Sequence, residues 1–210
     1  MHKISLLLIR SFVFFIISLS NVYAEAEWDI NKSKTISYAN VSGHVTHGDE
    51  LNFLISKKYD CNKLWNTFTV YTYEKPGDFL QLVDKNIPIT INGKELTANV
   101  RSVRPFLMGY SVYFSLGLFP VEPYVDLLQK LYDQDKKFEI TIVDGINFKA
   151  SKYFDLPTNS WELNKLKPSI TQARKMCKDL SNLDSETFNL LVFLKSEHFL
   201  THPTRSIALD

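Results

Sequence analysis

The chain reads LWNTFTVYTYE from Leu64 to Glu74, a stretch typical of a β-strand. Successive side chains of a strand point to opposite faces, so Phe68, Val70 and Thr72 share one side. The opposite side carries Thr67, Thr69, Tyr71 and Tyr73. β-Branched and aromatic residues at a period of two favour strands. The sequence therefore predicts a strand with one apolar face and one face of threonine and tyrosine.

Two turn signals that follow this strand in the sequence predict further strands. Asn92-Gly93 follows the short strand Ile87–Ile91 and predicts a tight hairpin into Glu95–Val103, because both residues tolerate positive φ. Asp144-Gly145 predicts a second hairpin, between Phe138–Val143 and Phe148–Phe154. Tyr110–Leu118 alternates again and is predicted to be a central, buried strand.

Helical periodicity follows the strands. An amphipathic helix is predicted where apolar residues recur every three or four positions, at Val121, Tyr124, Leu127, Leu128 and Leu131. Pro168 is predicted to open a second helix, which places Ala173 and Cys177 on its inner face. A third helix is predicted over Ser185–His198. The fold class predicted is α+β, mainly β: an antiparallel β-sandwich-like domain with two or three packed helices.

The first 24 residues have the pattern of a secretory signal peptide. Lys3 and Arg10 flank its start, the apolar run Phe12–Leu19 follows, and small residues lead to Ala24. Cleavage is expected after Ala24 or Ala26. The apolar run is about half of the ~20 residues that span a bilayer. No second long apolar run follows it, so no stable membrane insertion is expected after cleavage. The predicted organisation is a leader over residues 1–24, a β-rich domain over 25–182, and a C-terminal helix and tail over 183–210.

Charge and composition restrict the class of protein. The formal net charge is +1, and the leader would remove two basic residues and no acidic one, which leaves the mature chain nearly neutral. Such a chain has no electrostatic reason to bind nucleic acid. Hydrophobic residues make up 45% of the sequence, which excludes a disordered chain. A periplasmic or secreted globular protein is therefore expected.

Cys61 and Cys177 are the two cysteines of the sequence. An exported chain matures in an oxidising compartment, where a pair of cysteines favours one intramolecular disulfide. Two buried thiols or intermolecular bridges are the alternatives. A nucleophilic cysteine would need a histidine base, and the sequence offers none near either residue.

No catalytic motif is present, so the sequence predicts no catalytic residue and no cofactor. His44 and His47 lie in the one cluster rich in metal-ligand residue types, HVTHGDE. Zinc could bind imidazole and carboxylate there, although residues three apart in a strand face opposite sides. A metal-dependent hydrolase that uses these two histidines is the alternative to a surface turn.

Tyr71 and Tyr73 suggest where a partner could bind. They lie opposite the apolar face of their strand, and exposed aromatic side chains suit contacts with a protein or a glycan. The expected function is an exported binding or interaction protein of the cell envelope without catalysis. A structural subunit of an envelope assembly is a further alternative.

Asp60-Cys61 stands before the threonine-rich strand, and Trp161-Glu162-Leu163 stands before the predicted helix with Ala173 and Cys177. This order of features resembles the invasion-associated locus B family of small exported bacterial proteins. It covers about residues 27–180. The helix after Val121 and the long tail depart from the family pattern. The resemblance implies a periplasmic β-sandwich without established catalysis, and it carries no site residues to this chain.

Overall fold

The computed structural model describes residues 27–45 and 48–180. The predicted leader, the predicted C-terminal helix and tail, and His47 lie outside the described residues. The strands of the described chain are β1 Trp28–Lys32, β2 Ile36–Ser42, β3 Glu50–Ser56, β4 Lys63–Thr72, β5 Asn86–Ile91, β6 Lys94–Pro105, β7 Tyr110–Pro120, β8 Phe138–Ile142 and β9 Thr158–Trp161. The helices are α1 Val121–Asp135, α2 Ala150–Tyr153 and α3, residues 166–180. Two short 3₁₀ turns span Lys57–Tyr59 and Phe79–Leu82.

All nine strands form one antiparallel sheet in the order β1-β2-β3-β4-β7-β6-β5-β8-β9. The sheet curls into a half-barrel, so the predicted β-sandwich is wrong. The strand pairing shifts register in β4 and β7 near Asn66 and again in β6 between Val100 and Ser102. Such bulges bend a sheet and increase its twist. Alternation in the sequence shows that one face of each strand is buried, but it does not show whether a second sheet or helices cover that face.

Helices, rather than a second sheet, cover the inner face of the half-barrel. Phe53, Phe68 and Phe114 from the sheet belong to the same buried apolar cluster as residues of α1 and α3. The helical residues in this cluster are Val121, Val125, Leu128, Tyr132, Leu166, Ile170, Ala173 and Cys177. The prediction of a mainly β domain with two or three packed helices is therefore confirmed in its coarse form.

The strand that carries the predicted alternation is confirmed as β4. Phe68, Val70 and Thr72 are buried, and Tyr71 is only partly buried. The Asn92-Gly93 hairpin is also confirmed. Both of its residues have positive φ, 46° and 77°, in the tight turn between β5 and β6.

The second predicted hairpin is wrong. Residues Ala150–Tyr153 form the short helix α2, and β8 pairs with β9 instead of with Phe148–Phe154. The Asp144 carboxylate accepts a hydrogen bond from the backbone N–H of Ala150 at 2.9 Å, which favours a helical turn there. Burial of Tyr153 and Phe154 in the core then fixes this turn in place.

The disulfide joins Cys61, just before β4, to Cys177 on α3. Arg174 supports this junction, because its Nε donates a hydrogen bond to the Cys61 carbonyl at 3.0 Å. The α3 helix begins two residues before Pro168 and presents Ile170, Ala173 and Cys177 to the core, as predicted. Within residues 27–45 and 48–180, no helix is long and apolar enough to cross a membrane.

Candidate interaction surface

The hairpin between β6 and β7 ends in apolar side chains that face solvent. Leu107 is 95% exposed, Met108 is 55% exposed and Phe106 beside them is 36% exposed. Single exposed apolar residues are ordinary on protein surfaces, but three consecutive ones at a loop tip are not. This tip is therefore the first candidate for a contact with another molecule.

The turn itself does not need these residues. Phe106 and Gly109 exchange backbone hydrogen bonds of 3.0 Å and 3.3 Å, so Leu107 and Met108 form a two-residue connection. Glycine, asparagine, aspartate and serine are the residues that such turns favour, because they tolerate the backbone angles or bond the local backbone. Leucine and methionine add nothing to the turn, so their presence points to a role outside the fold.

Tyr71 and Tyr73 extend this apolar tip along the outer face of the sheet. The Tyr71 and Phe106 rings meet edge to face with their centroids 5.4 Å apart. The Tyr73 and Phe106 centroids are 6.4 Å apart, and Tyr73 is 46% exposed. We call the five residues Tyr71, Tyr73, Phe106, Leu107 and Met108 the hairpin-tip surface. The structure thus places the two predicted tyrosines beside three apolar residues that the sequence analysis did not select.

The hairpin-tip surface is held against β4 by a close backbone approach. A Cβ atom on Gly109 would lie 1.9 Å from the Thr72 carbonyl oxygen, so only glycine fits at this position. The backbone N–H of Tyr71 donates to the Asp49 carboxylate at 2.8 Å. Both contacts fix the backbone beneath the rings, so the backbone of the hairpin-tip surface is preorganised.

Asp49 also links the β2–β3 loop to β9, and we call this link the closure of the half-barrel. Its side chain is buried, and its second carboxylate oxygen accepts a hydrogen bond from Asn159 Nδ2 on β9 at 2.9 Å. The side-chain oxygen Oδ1 of Asn159 accepts hydrogen bonds from the backbone N–H groups of Val45 and Ser160. A Cβ on Gly43 would lie 2.3 Å from Asn159 Nδ2, so the β2–β3 loop approaches β9 more closely than a larger residue would allow. These contacts link the β2–β3 loop to the last strand of the sheet.

His44 lies beside this link, in a row of polar groups. Its Nδ1 is 3.2 Å from the Ser160 hydroxyl, and its Nε2 is 3.6 Å from Glu162 Oε1. Glu162 also accepts a hydrogen bond from the Tyr132 hydroxyl. Burial, together with the neighbouring Glu162 carboxylate, raises the pKa of Tyr132 to about 12. Tyr132 therefore remains a neutral hydrogen-bond donor at physiological pH.

Three backbone N–H groups described beside this serine, histidine and carboxylate already have acceptors. An oxyanion needs free N–H groups aimed at it. The backbone N–H groups of Ser160 and Val45 both donate to Asn159, and that of His44 donates to the Ser160 carbonyl. The described geometry of the row therefore stabilises the junction with β9 and offers no oxyanion site from these three groups.

The predicted metal pair is only half described, because His47 lies outside the described residues. In the part of the chain that the structure describes, no group of three or more His, Cys, Asp or Glu side chains is placed to hold a metal ion. The metal-dependent hydrolase stays a prediction, and no described contact of His44 favours it over a structural role.

Comparison with known proteins adds no family. No family model matches the chain, no curated protein is significantly similar to it, and no solved structure matches it. The resemblance to the invasion-associated locus B family stays a prediction.

Proposed function

We propose that this protein is an exported binding protein of the cell envelope, periplasmic or secreted, which recognises a partner through the hairpin-tip surface. The Cys61–Cys177 disulfide supports export, because such bonds persist in oxidising compartments. The near-neutral charge of the sequence supports a partner that is neither nucleic acid nor an anionic surface. The resemblance to the locus B family, which implies a periplasmic protein, supports the same proposal.

The single observation that carries this proposal is the solvent exposure of Leu107 and Met108 at the end of a rigid hairpin. Interface hot spots are enriched in aromatic side chains such as tyrosine, and they lie where a partner excludes water. Phe106 supports the two residues from behind through its contacts with Tyr71 and Tyr73. Five neighbouring apolar or aromatic side chains thus form one projecting contact area.

A protein partner suits this surface better than a glycan. Recognition of a sugar requires polar groups that pair with its hydroxyls beside the aromatic rings. The tip offers a leucine and a methionine, and methionine is a flexible, polarisable side chain that adapts to apolar pockets of proteins. We therefore expect the tip to insert into an apolar pocket of another envelope protein.

The test is photo-crosslinking from the tip. A photoreactive phenylalanine analogue at position 107 should give a discrete crosslinked species in intact envelopes of the producing cells. The same analogue at position 146 is the matched control, because Ile146 is a fully exposed apolar residue that is not part of the hairpin-tip surface. Competition by unlabelled protein should abolish the crosslink, and competition by the Leu107→Ser/Met108→Ser protein should not.

A second variant separates the position of the tip from its composition. Gly109→Ala keeps all five side chains but forces the hairpin away from Thr72. It should weaken competition, whereas Gly77→Ala should not, since nothing lies within 4 Å of a Cβ there. Equal crosslinking from positions 107 and 146, or equal competition by the tip variant and the parent, would contradict the proposal.

A further inference from the structure

A second apolar feature lies at the opposite end of the β6–β7 hairpin. It is a groove of about 340 Å³ between α1 and the inner face of the sheet. We call it the α1 groove, and its principal walls are Leu96, Leu116, Phe119, Tyr124, Leu127 and Leu131. Roughly ten residues of strand, about 30 Å, separate it from the hairpin-tip surface. The two sites can therefore be tested independently.

The α1 groove is an unfilled end of the core. Ala98 and Val100 of β6 are completely buried, and Leu96 shares their face of the strand. Leu96 is nevertheless 50% exposed, and Leu127 across the groove on α1 is 52% exposed. Since inward-facing leucines of a sheet are normally covered, the interior is left open at this end and accessible to a ligand.

The floor of the groove is rigid. The Phe119 and Tyr124 rings stack with their centroids 3.9 Å apart and nearly parallel. Gly117 makes room for this stack, because a Cβ there would lie 2.8 Å from the Phe119 ring. The Tyr124 hydroxyl donates to Asn66 Oδ1 at 2.7 Å, and burial raises the pKa of Tyr124. The tyrosine therefore presents an apolar ring to the groove and keeps its polar end occupied.

Lys94 is the charged residue of the groove lining. It lies at the rim, next to the Asn92-Gly93 turn, and no described acceptor forms an ion pair or hydrogen bond with its side chain. The nearby Asp135 carboxylate accepts a hydrogen bond from Asn92 instead, at 2.9 Å. An ammonium at the mouth of an apolar groove complements an anionic head on an apolar chain.

We propose that the α1 groove binds a free long-chain carboxylate, with the acyl chain along α1 and the carboxylate at Lys94. A volume of about 340 Å³ is near the lower end of the range for ligand pockets, roughly 300–1,000 Å³, which favours one chain over a two-chain lipid. The apolar walls supply affinity for the chain, and Lys94 selects a negatively charged head. No part of this inference depends on the hairpin-tip surface.

The test uses laurate and 1-dodecanol, two twelve-carbon ligands that differ in head-group charge, in calorimetric titrations of the purified protein. Laurate should bind saturably with one site. Lys94→Gln should weaken laurate binding about two- to fivefold, the range of an exposed ion pair, and should leave 1-dodecanol binding unchanged. Leu127→Glu should weaken both ligands by about tenfold or more, because it places a carboxylate against the chain.

Leu80→Glu is the matched control, since Leu80 is also exposed, at 62%, and is not part of the groove lining. Leu96→Gln is the second groove variant if Leu127→Glu does not fold. The Leu107→Ser/Met108→Ser protein should bind laurate like the parent, so this proposal and the proposed function fail separately. Absence of saturable laurate binding, or an affinity that both groove variants leave unchanged, would overturn the inference. Dimerisation that Leu127→Glu abolishes would assign the groove to a second copy of the chain and overturn it as well.

Discussion

Removal of the Asp49 carboxylate should destabilise the fold more than any surface charge change. Asp49 is buried and accepts hydrogen bonds from the Tyr71 backbone N–H at 2.8 Å and from Asn159 Nδ2 at 2.9 Å. Asp49→Ala removes the acceptor of the buried Asn159 amide and of the partly buried Tyr71 N–H, at about 1–3 kcal/mol each. The expected loss is therefore about 2–6 kcal/mol, a large part of the ~5–15 kcal/mol that stabilises a typical domain.

Urea denaturation followed by tryptophan fluorescence measures this loss as a change in the free energy of unfolding. Asp49→Asn should lower the free energy of unfolding by about half as much as Asp49→Ala. The oxygen of the new asparagine side chain can accept from one donor, while its NH₂ group faces the other donor. Asp29→Ala is the matched control, because Asp29 is an exposed residue of β1, and it should change the free energy of unfolding by less than about 0.5 kcal/mol. An Asp49→Ala protein within about 0.5 kcal/mol of the parent would refute the assignment of Asp49 as the residue that closes the half-barrel.

Two further predictions concern the disulfide and acid stability. The Cys61→Ser/Cys177→Ser protein lacks the covalent loop between two residues that are 116 positions apart in sequence. On the chain-entropy model, its free energy of unfolding in urea denaturation should be lower by roughly 4–5 kcal/mol. A decrease below about 1 kcal/mol would contradict this expectation. Hydrogen bonds from Lys152 and Tyr153 hold the pKa of Asp78 below its ordinary value of 3.8. A depressed folded-state pKa stabilises the fold above pH 3.8, and this contribution is lost as the pH falls through the folded value. Asp78→Asn should therefore flatten the fall in stability measured from about pH 6 to about pH 2, and equal slopes in both proteins would disprove the link.

The candidate surface could be predicted only in part. The period of two in β4 was enough to place Tyr71 and Tyr73 opposite the core, because strand geometry alone sets that orientation. The tip residues Phe106, Leu107 and Met108 lie between the predicted strands Glu95–Val103 and Tyr110–Leu118, so strand periodicity does not select them. A signal was present: three consecutive apolar residues stand where a turn usually has polar ones. Their approach to the tyrosines depends on the pairing of β4 with β7, which no local pattern encodes.

The failed hairpin at Asp144-Gly145 has a similar cause. The dipeptide marks a turn correctly, but the same aspartate can instead accept a hydrogen bond from the following backbone, as it does at Ala150. Tyr153 and Phe154 then pack into the core from a helical turn. Competition between these outcomes is settled by packing partners distant in sequence, so a short window of sequence cannot resolve it.

Elements with local signals can be read from the amino-acid sequence alone. These are the alternation of β4, the Asn92-Gly93 hairpin and the helix that begins at Val121, because backbone geometry and periodic burial act over a few residues. The arrangement of the strands in one curled sheet covered by helices is visible only in the folded molecule. The same holds for Asp49 at the closure of the half-barrel, and for the open groove beside Leu96 and Leu127. Curvature, closure and unfilled volume depend on how residues far apart in the chain pack together, and a strand pattern states only that a face is buried.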